Sequence, residues 1–203
     1  MTGFARNTRR VPTLLALLAV LLAALGGALF SLRPARPAAG SPAVTFTQGM
    51  LRHHGQAVTM ARLIRARPAH RTVRSLALDI ELSQTEQIRQ MRGWLTLWGQ
   101  GPGPEMTDAH ARTMGMATGA ELASLRTLPP ASAQAQFLRL MIRHHQGAVA
   151  MVNGLPERGL PPEVQRLARQ IRASQQGEIA TMTGLLKRLG EGTPPVPAAP
   201  HHH

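Results

Sequence analysis

The stretch MLRHHGQAVTM, from Met50 to Met60, recurs as MIRHHQGAVAM, from Met141 to Met151. The two stretches lie 91 residues apart, and the same offset pairs many residues of the segments that follow them. A unit repeated over this length is typical of a duplicated helical hairpin. The repeat therefore predicts two similar halves, each with a histidine pair bracketed by methionines.

Proline and glycine divide the rest of the chain into helical segments. Thr118 and Glu121 have the spacing of a capping box, and Ser132 is a candidate cap of the next helix. No stretch alternates with a period of two, so strands are not expected. The apolar pattern predicts an all-α, four-helix bundle of two duplicated hairpins joined by a methionine-rich crossover. The predicted helices cover about 45–67, 71–98, 118–129, 132–153 and 162–190.

An apolar run over about 11–32 follows three arginines and precedes a stretch rich in proline and alanine. This pattern is typical of a secretory signal or an uncleaved anchor, and its length favours an N-terminal membrane segment. The preceding arginines predict that the helices lie outside the cytoplasm. We therefore divide the chain into a basic end, signal or anchor helix and linker (1–40), a helical bundle (41–190) and a disordered tail (191–203). The three terminal histidines are assigned no role.

The composition excludes several kinds of site. There is no cysteine, so the chain has no disulfide, no thiolate metal site and no cysteine nucleophile. The formal net charge of +13 is scattered along helices without a recognisable nucleic-acid module, so no nucleic-acid partner is expected. Only 10 residues are acidic, which disfavours a carboxylate site for a hard cation. Neutral methionine and histidine ligands instead suit a soft ion such as Cu(I).

The repeated stretch places imidazole and thioether groups on one side of a helix. At about 100° per residue, His53 and Met60 fall within about 20° of each other, and Met50 and His54 lie on neighbouring turns. Ala57 lies at the centre of this arc, where its small side chain leaves room between the ligands. The second stretch repeats the geometry. We therefore predict eight copper ligands: Met50, His53, His54, Met60, Met141, His144, His145 and Met151.

The partner helices supply candidate acceptors for the imidazoles. Adjacent histidines point about 100° apart, so either one of each pair binds metal while the other hydrogen-bonds, or facing helices share ligands. A metal-bound imidazole has a spare N–H to donate. Gln87 and Glu178 hold matching positions on the apolar stripes of the two partner helices. We predict Glu178 as an acceptor and Gln87 as its weaker counterpart, which makes the two half-sites inequivalent.

Further methionines are auxiliary candidates. Met91 and Met182 lie on the partner helices, where packing is the simpler interpretation and metal binding the alternative. The crossover is either a surface segment or a metal-collecting arm, and in a helix its first three candidates would share one face. These crossover residues are Met106, His110, Met114 and Met116.

The two stretches resemble M-x-x-H-H-x-x-A-x-x-M, the hallmark of the domain of unknown function 305 family. The partner-helix signature of that family, S-Q-x-x-E-I-x-x-M, is matched fully over 174–182, whereas in the first half Gln87 replaces the glutamate. Family members usually carry an aspartate before each motif, where this chain has Ala43 and Gln134. The resemblance covers about 43–190. It implies a ferritin-like four-helix bundle outside the cytoplasmic membrane, with some members tied to copper binding and tolerance.

We predict an exported copper-binding protein without enzymatic activity, which sequesters or passes on Cu(I) and is a candidate for Cu(II) through its histidines. Its expected partners are copper ions, the membrane through the N-terminal segment, and a second copy of the chain or a copper-transfer protein. With ordinary histidine pKa values, copper affinity should weaken below a pH of about 6.5. A metal-free interaction or pH-sensing module at the membrane surface stays open. A di-iron oxidoreductase is disfavoured because no Glu-x-x-His occurs in the chain.

Overall fold

The computed structural model of the protein describes residues 18–22 and 36–190. The chain divides into two units, Met1–Arg36 and Pro37–His203, and the described part of the first is a short helical stretch with exposed side chains. The rest of the predicted N-terminal apolar segment lies outside the described residues, as does the predicted tail. Of the helices that the structure describes, none is both long and apolar enough to cross a bilayer.

Every regular element in residues 36–190 is helical, which confirms the predicted all-α class. Four long helices alternate with short connections, and two short helices lie in the crossover between the second and the third long helix. In chain order the helices are α1 (Pro42–Arg65), α2 (Arg71–Trp98), α3 (Asp108–Thr113), α4 (Gly119–Thr127), α5 (Pro130–Asn153) and α6 (Pro162–Gly190).

Local signals determine where most of these helices begin and end. The Ser41 hydroxyl accepts a hydrogen bond from the backbone N–H of Val44 at the start of α1. Thr118 and Glu121 form the predicted capping box at the start of α4, so both of these residues satisfy otherwise unpaired N–H groups. Helix α2 stops at Gly99, whose φ of 70° is the left-handed conformation that favours glycine.

The start of α5 differs from its prediction. The helix begins at Pro130, with Pro129 before it and no side-chain cap, so Ser132 lies inside the first turn. The physical reason is that proline has a φ suited to the first helical turn and lacks an N–H that would need a partner there. A proline pair can therefore start a helix without a serine cap.

The long helices form two antiparallel hairpins, α1 with α2 and α5 with α6, and α1 also packs on α5. Short helix α4 lies against both α1 and α5. The apolar core has two parts: one contains Ile80 and Phe137, and the other contains Phe46 and Val164. Each fully buried large side chain contributes about 1.5–3 kcal/mol to folding. The arrangement is a four-helix bundle, consistent with the predicted ferritin-like class.

Candidate metal centre

Four histidines lie at the middle of the bundle, on the faces of α1 and α5 that meet each other. His53, His54, His144 and His145 are each 0% exposed. The rings of His53 and His144 come within 3.7 Å of each other, centroid to centroid, with 33° between their planes. Each of them is more than 6 Å from the ring of its neighbour in sequence, at 6.4 Å and 6.2 Å. Buried imidazoles need partners, so a layer of four requires a chemical explanation.

The outer two histidines donate to side chains of the partner helices. His54 Nε2 lies 2.6 Å from Gln87 Oε1, and His145 Nε2 lies 2.5 Å from Glu178 Oε2. Both pairs join residues 33 apart in the sequence, so the same contact occurs in each hairpin. The acceptors differ in charge, because one is an amide and the other a carboxylate. The two halves of the histidine layer are therefore electrostatically different.

The inner two histidines donate to backbone carbonyl groups. His53 Nε2 lies 2.9 Å from the carbonyl oxygen of Met114 in the crossover. His144 Nε2 lies 3.0 Å from the carbonyl oxygen of His53 itself. With oxygen acceptors at all four Nε2 atoms, each ring must carry its hydrogen on Nε2 to make these bonds. The neutral tautomer then has a lone pair on Nδ1.

Those four Nδ1 atoms are the unusual feature of the site. All four are buried, and none has a hydrogen-bond partner among the described residues. An unsatisfied buried acceptor costs about 1–3 kcal/mol, so four in one layer are expensive for the fold. Neutral imidazole nitrogens with a fixed tautomer are also good ligands for copper. The donor set therefore fits the copper ion that the sequence predicts.

Burial keeps three of these rings neutral well below the pH expected from the sequence. It lowers the pKa of His53 to about 4 and, together with repulsion from the adjacent His53 ring, that of His54 to about 3. Burial and the neighbouring rings also lower the pKa of His144 far below its ordinary value. The expectation of ordinary pKa values is wrong for these three residues, because the sequence does not reveal complete burial.

Methionines flank the histidine layer on both sides. Each of the two apolar clusters combines the first methionine of one stretch, the last methionine of the other stretch, and one methionine of a partner helix. Met91 and Met182 thus share the surroundings of the predicted ligands. One cluster includes Met50, Met91 and the half-buried Met151, and the other includes Met60, Met141 and Met182.

Imidazole and carboxylate groups alone do not complete a metal site. Across 18–22 and 36–190, no three of them are gathered closely enough to hold an ion by themselves. A copper site in this core must therefore draw on the flanking thioethers or on rotation of the rings. Thioethers are acceptable ligands for Cu(I) and poor ones for hard cations, so the arrangement favours a soft ion.

Two buried glutamines add to the polar layer. Gln84 and Gln175 are each 2% exposed, and neither amide has a partner among the residues that the structure describes. They precede Gln87 and Glu178 by three residues, so each lies about one helical turn away from an imidazole acceptor. Neither glutamine is among the predicted site residues. Their recurrence at the 91-residue offset, each directly after a serine, is the sequence pattern that could have indicated them.

The crossover does not form the single helical face that its spacing suggests. Helix α3 is too short to include Met106, and His110 lies on its exposed side. Met114 ends α3 and is buried, but it is the carbonyl group of this residue that meets His53. Met116 is half-buried in the segment after α3. The four crossover candidates are therefore in three different environments.

A glycine of the second stretch allows the crossover to lie directly on α5. A Cβ at Gly147 would be 1.8 Å from the carbonyl oxygen of Met114, which is far inside contact distance. The equivalent position of the first stretch holds Gln56, whose amide bonds both the N–H and the carbonyl of Ala117, at 2.6 Å and 2.9 Å. The histidine pair is followed by Gly-Gln in the first stretch and by Gln-Gly in the second. This reversed order lets one crossover segment bond to Gln56 on α1 and lie against Gly147 on α5, over the site.

Solved structures resemble this chain closely. A DUF305 fragment from Deinococcus radiodurans is 58% identical, with a TM-score of 0.70, and the match covers 75% of this chain and 99% of that chain. A DUF305 protein from Streptomyces coelicolor, provisionally described as secreted, is 39% identical, with a TM-score of 0.69 and coverage of 75% and 96%. CopM in its Cu(I)-bound form is 29% identical, with a TM-score of 0.59 and coverage of 71% and 95%.

The family assignment follows from sequence as well as from structure. Among curated proteins, no sequence matches the chain. The family model described as Domain of unknown function (DUF305) matches residues 43–186, which include both histidine stretches and both partner helices. The chain therefore belongs to the DUF305 family, as the resemblance of its two stretches predicts.

Proposed function

We propose that the protein binds copper, as Cu(I), inside its helical bundle. The observation that carries this proposal is the layer of four buried Nδ1 lone pairs without hydrogen-bond donors among the described residues. Clusters of thioethers, all buried except the half-buried Met151, lie on both sides of that layer. The relationship to CopM, which has been solved in a Cu(I)-bound form, supports the same ion.

The imidazoles are the primary ligands in this proposal, and the methionines complete the ligand set. Copper supplies an acceptor for Nδ1 lone pairs that would otherwise be unsatisfied. The chain keeps each ring oriented through its Nε2–H bond, keeps water away through burial, and favours a soft ion through its thioethers. Because the acceptor of His145 is the Glu178 carboxylate and the acceptor of His54 is the Gln87 amide, the two halves bind copper with different strength.

The biological role that fits is sequestration, delivery or tolerance outside the cytoplasm. The relative from Streptomyces coelicolor is provisionally described as secreted, and the arginines before the N-terminal apolar segment agree with export. In this proposal the chain is held at the membrane by that segment, or released after its cleavage. Cu(II) is a second cargo through the imidazoles.

A di-iron centre has less support than copper. Such centres in helical bundles take several carboxylates from facing helices. Only Glu178 brings a carboxylate into hydrogen-bond contact with the histidine layer within residues 36–190. The donor set of the interior is therefore richer in imidazole and thioether than in oxygen.

Competition against a coloured Cu(I) chelator tests the proposal, with the full chain in mild detergent and without oxygen. The informative variant is His54→Gln with His145→Gln, because glutamine keeps an N–H near the position of Nε2 and lacks Nδ1. We expect the wild-type chain to remove copper from the chelator and the variant to bind at least about tenfold more weakly.

The matched control changes two exposed histidines, His70→Gln with His110→Gln, and should retain wild-type affinity. Equal copper affinity in wild-type chain and in the buried-histidine variant would contradict the proposed site. A wild-type chain that takes no copper from the chelator would favour the metal-free module instead.

A further inference from the structure

A cleft of about 320 Å³ opens to solvent beside the crossover. Its walls come from α1, α3, the start of α4 and the segments before and after α3. Two of the four crossover candidates, Met106 and Met116, line this cleft, whereas His110 does not. The fold thus brings together two half-buried thioethers that are separated by a helix in the sequence.

The charges around the cleft disfavour a divalent cation more strongly than a monovalent one. Arg52, Arg112 and Asp108 line it together with the thioethers. Two guanidinium groups against one carboxylate leave the walls with a net positive charge, and repulsion of a cation grows with the charge of that cation. Thioethers are neutral and soft, so they compensate for this repulsion with Cu(I) or Ag(I) better than with a divalent ion.

The floor of the cleft is the segment that covers the histidine layer. Gln56 and Ala117 line the cleft and are hydrogen-bonded to each other. Three residues before Ala117, the Met114 carbonyl accepts the Nε2–H of His53, and Gln56 itself follows His53 by three residues on α1. One short segment therefore separates the open cleft from a core that is completely buried.

We propose that this cleft is the port at which a soft monovalent cation is captured before it enters the histidine layer, with Met106 and Met116 as its first ligands. The destination of the ion rests on the proposed function, whereas capture rests on the cleft itself. Passage inward then requires displacement of the Met114 carbonyl from His53. The open thioethers thus serve as a transfer position between solvent and core.

Rates of Cu(I) uptake test the port. The full chain is mixed with a coloured Cu(I)–chelator complex in a stopped-flow instrument, and the decay of the chelator signal is followed. In Met106→Leu with Met116→Leu, which preserves side-chain volume, we expect uptake to slow by about tenfold while the final amount of core-bound copper stays close to wild type. The control, His110→Gln, changes an exposed crossover residue outside the cleft and should load at the wild-type rate.

A second measurement removes the competition from the core. In the buried-histidine variant, His54→Gln with His145→Gln, the core binds the ion more weakly, and excess Ag(I) should still shift the methyl resonances of Met106 and Met116. Equal uptake rates in the wild-type chain and in Met106→Leu with Met116→Leu, or unshifted Met106 and Met116 resonances in the buried-histidine variant, would overturn the port. A wild-type chain that takes up no Cu(I) at all would overturn the proposed function as well, so the two failures are distinguishable.

Discussion

Replacing Gly147 by alanine should destabilise the bundle by about 3 kcal/mol, because overpacking against fixed backbone is among the costlier core changes. The new Cβ would lie 1.8 Å from the Met114 carbonyl oxygen and 2.5 Å from its carbon, and neither atom belongs to a flexible side chain. The crossover must therefore move off α5. That movement also breaks the hydrogen bond from His53 Nε2 to Met114, which leaves a buried N–H unsatisfied. Urea unfolding followed by circular dichroism measures the change.

The first stretch offers a matched control for this change. Gly55 lies inside α1, and a Cβ added there would meet no atom within 4 Å. Alanine is a better helix former than glycine by about 0.5–1 kcal/mol, so Gly55→Ala should stabilise the protein slightly. If Gly147→Ala proves as stable as Gly55→Ala, the crossover does not pack on α5 as described.

Acidification from pH 7 to pH 5 should remove a large part of the stability of the metal-free protein. The pKa values of His53 and His54 are about 4 and 3 in the folded chain, whereas unfolded histidine titrates near 6.5. Below pH 6.5 the unfolded chain therefore binds protons that the folded chain does not, and stability falls as the pH falls. Each ring that stays neutral in the folded chain lowers the free energy of unfolding by about 2 kcal/mol at pH 5. The total free energy of unfolding of a typical protein is about 5–15 kcal/mol.

The pH range from 7 to 5 separates the titration of the buried histidines from that of the Glu121–Arg143 pair. The pKa of Glu121 is lowered to about 2 by Arg143, so the stability from this pair is present above pH 4.5 and is lost only below it. Glu178, on α6, is the carboxylate in hydrogen-bond contact with the histidine layer in the described residues. Changes between pH 7 and pH 5 thus report mainly on the buried rings.

Urea unfolding of the metal-free chain at both pH values checks this prediction. In His54→Gln the loss of stability between pH 7 and pH 5 should be smaller than in wild type by about 2 kcal/mol, because one titrating group is removed. The exposed-site variant His110→Gln should lose as much stability as wild type. An unchanged loss in His54→Gln would mean that this ring is already charged or accessible in the folded chain.

Much of the fold could be predicted because its signals are local. Helical periodicity, the capping box at Thr118 and the glycine after Trp98 depend only on neighbouring residues. Helix periodicity also places Gln87 and Glu178 on the faces that meet the histidines, because residues a few turns apart on one helix keep a constant relative direction. These features need no knowledge of how distant helices pack.

The rest depends on long-range packing that the sequence does not reveal. Each methionine cluster combines residues of both stretches because of the register of α1 against α5. This register brings Met151 of the second stretch next to Gly49, which directly precedes the first stretch. The crossover position depends on the absence of a side chain at Gly147, and a glycine inside a helix has no unique meaning in sequence. The neutral state of His53, His54 and His144 follows from complete burial, which only the assembled bundle produces.

The central claim is that copper binds to the Nδ1 atoms of the buried histidines, and long-range proton–nitrogen NMR of the ring nitrogens tests it most directly. In the metal-free chain, the rings of His53, His54, His144 and His145 should all show the Nε2–H tautomer. With one equivalent of Cu(I), the Nδ1 resonances of this layer should shift while Nε2 stays protonated. Copper that binds at full stoichiometry and leaves every one of these Nδ1 resonances unchanged would contradict the account.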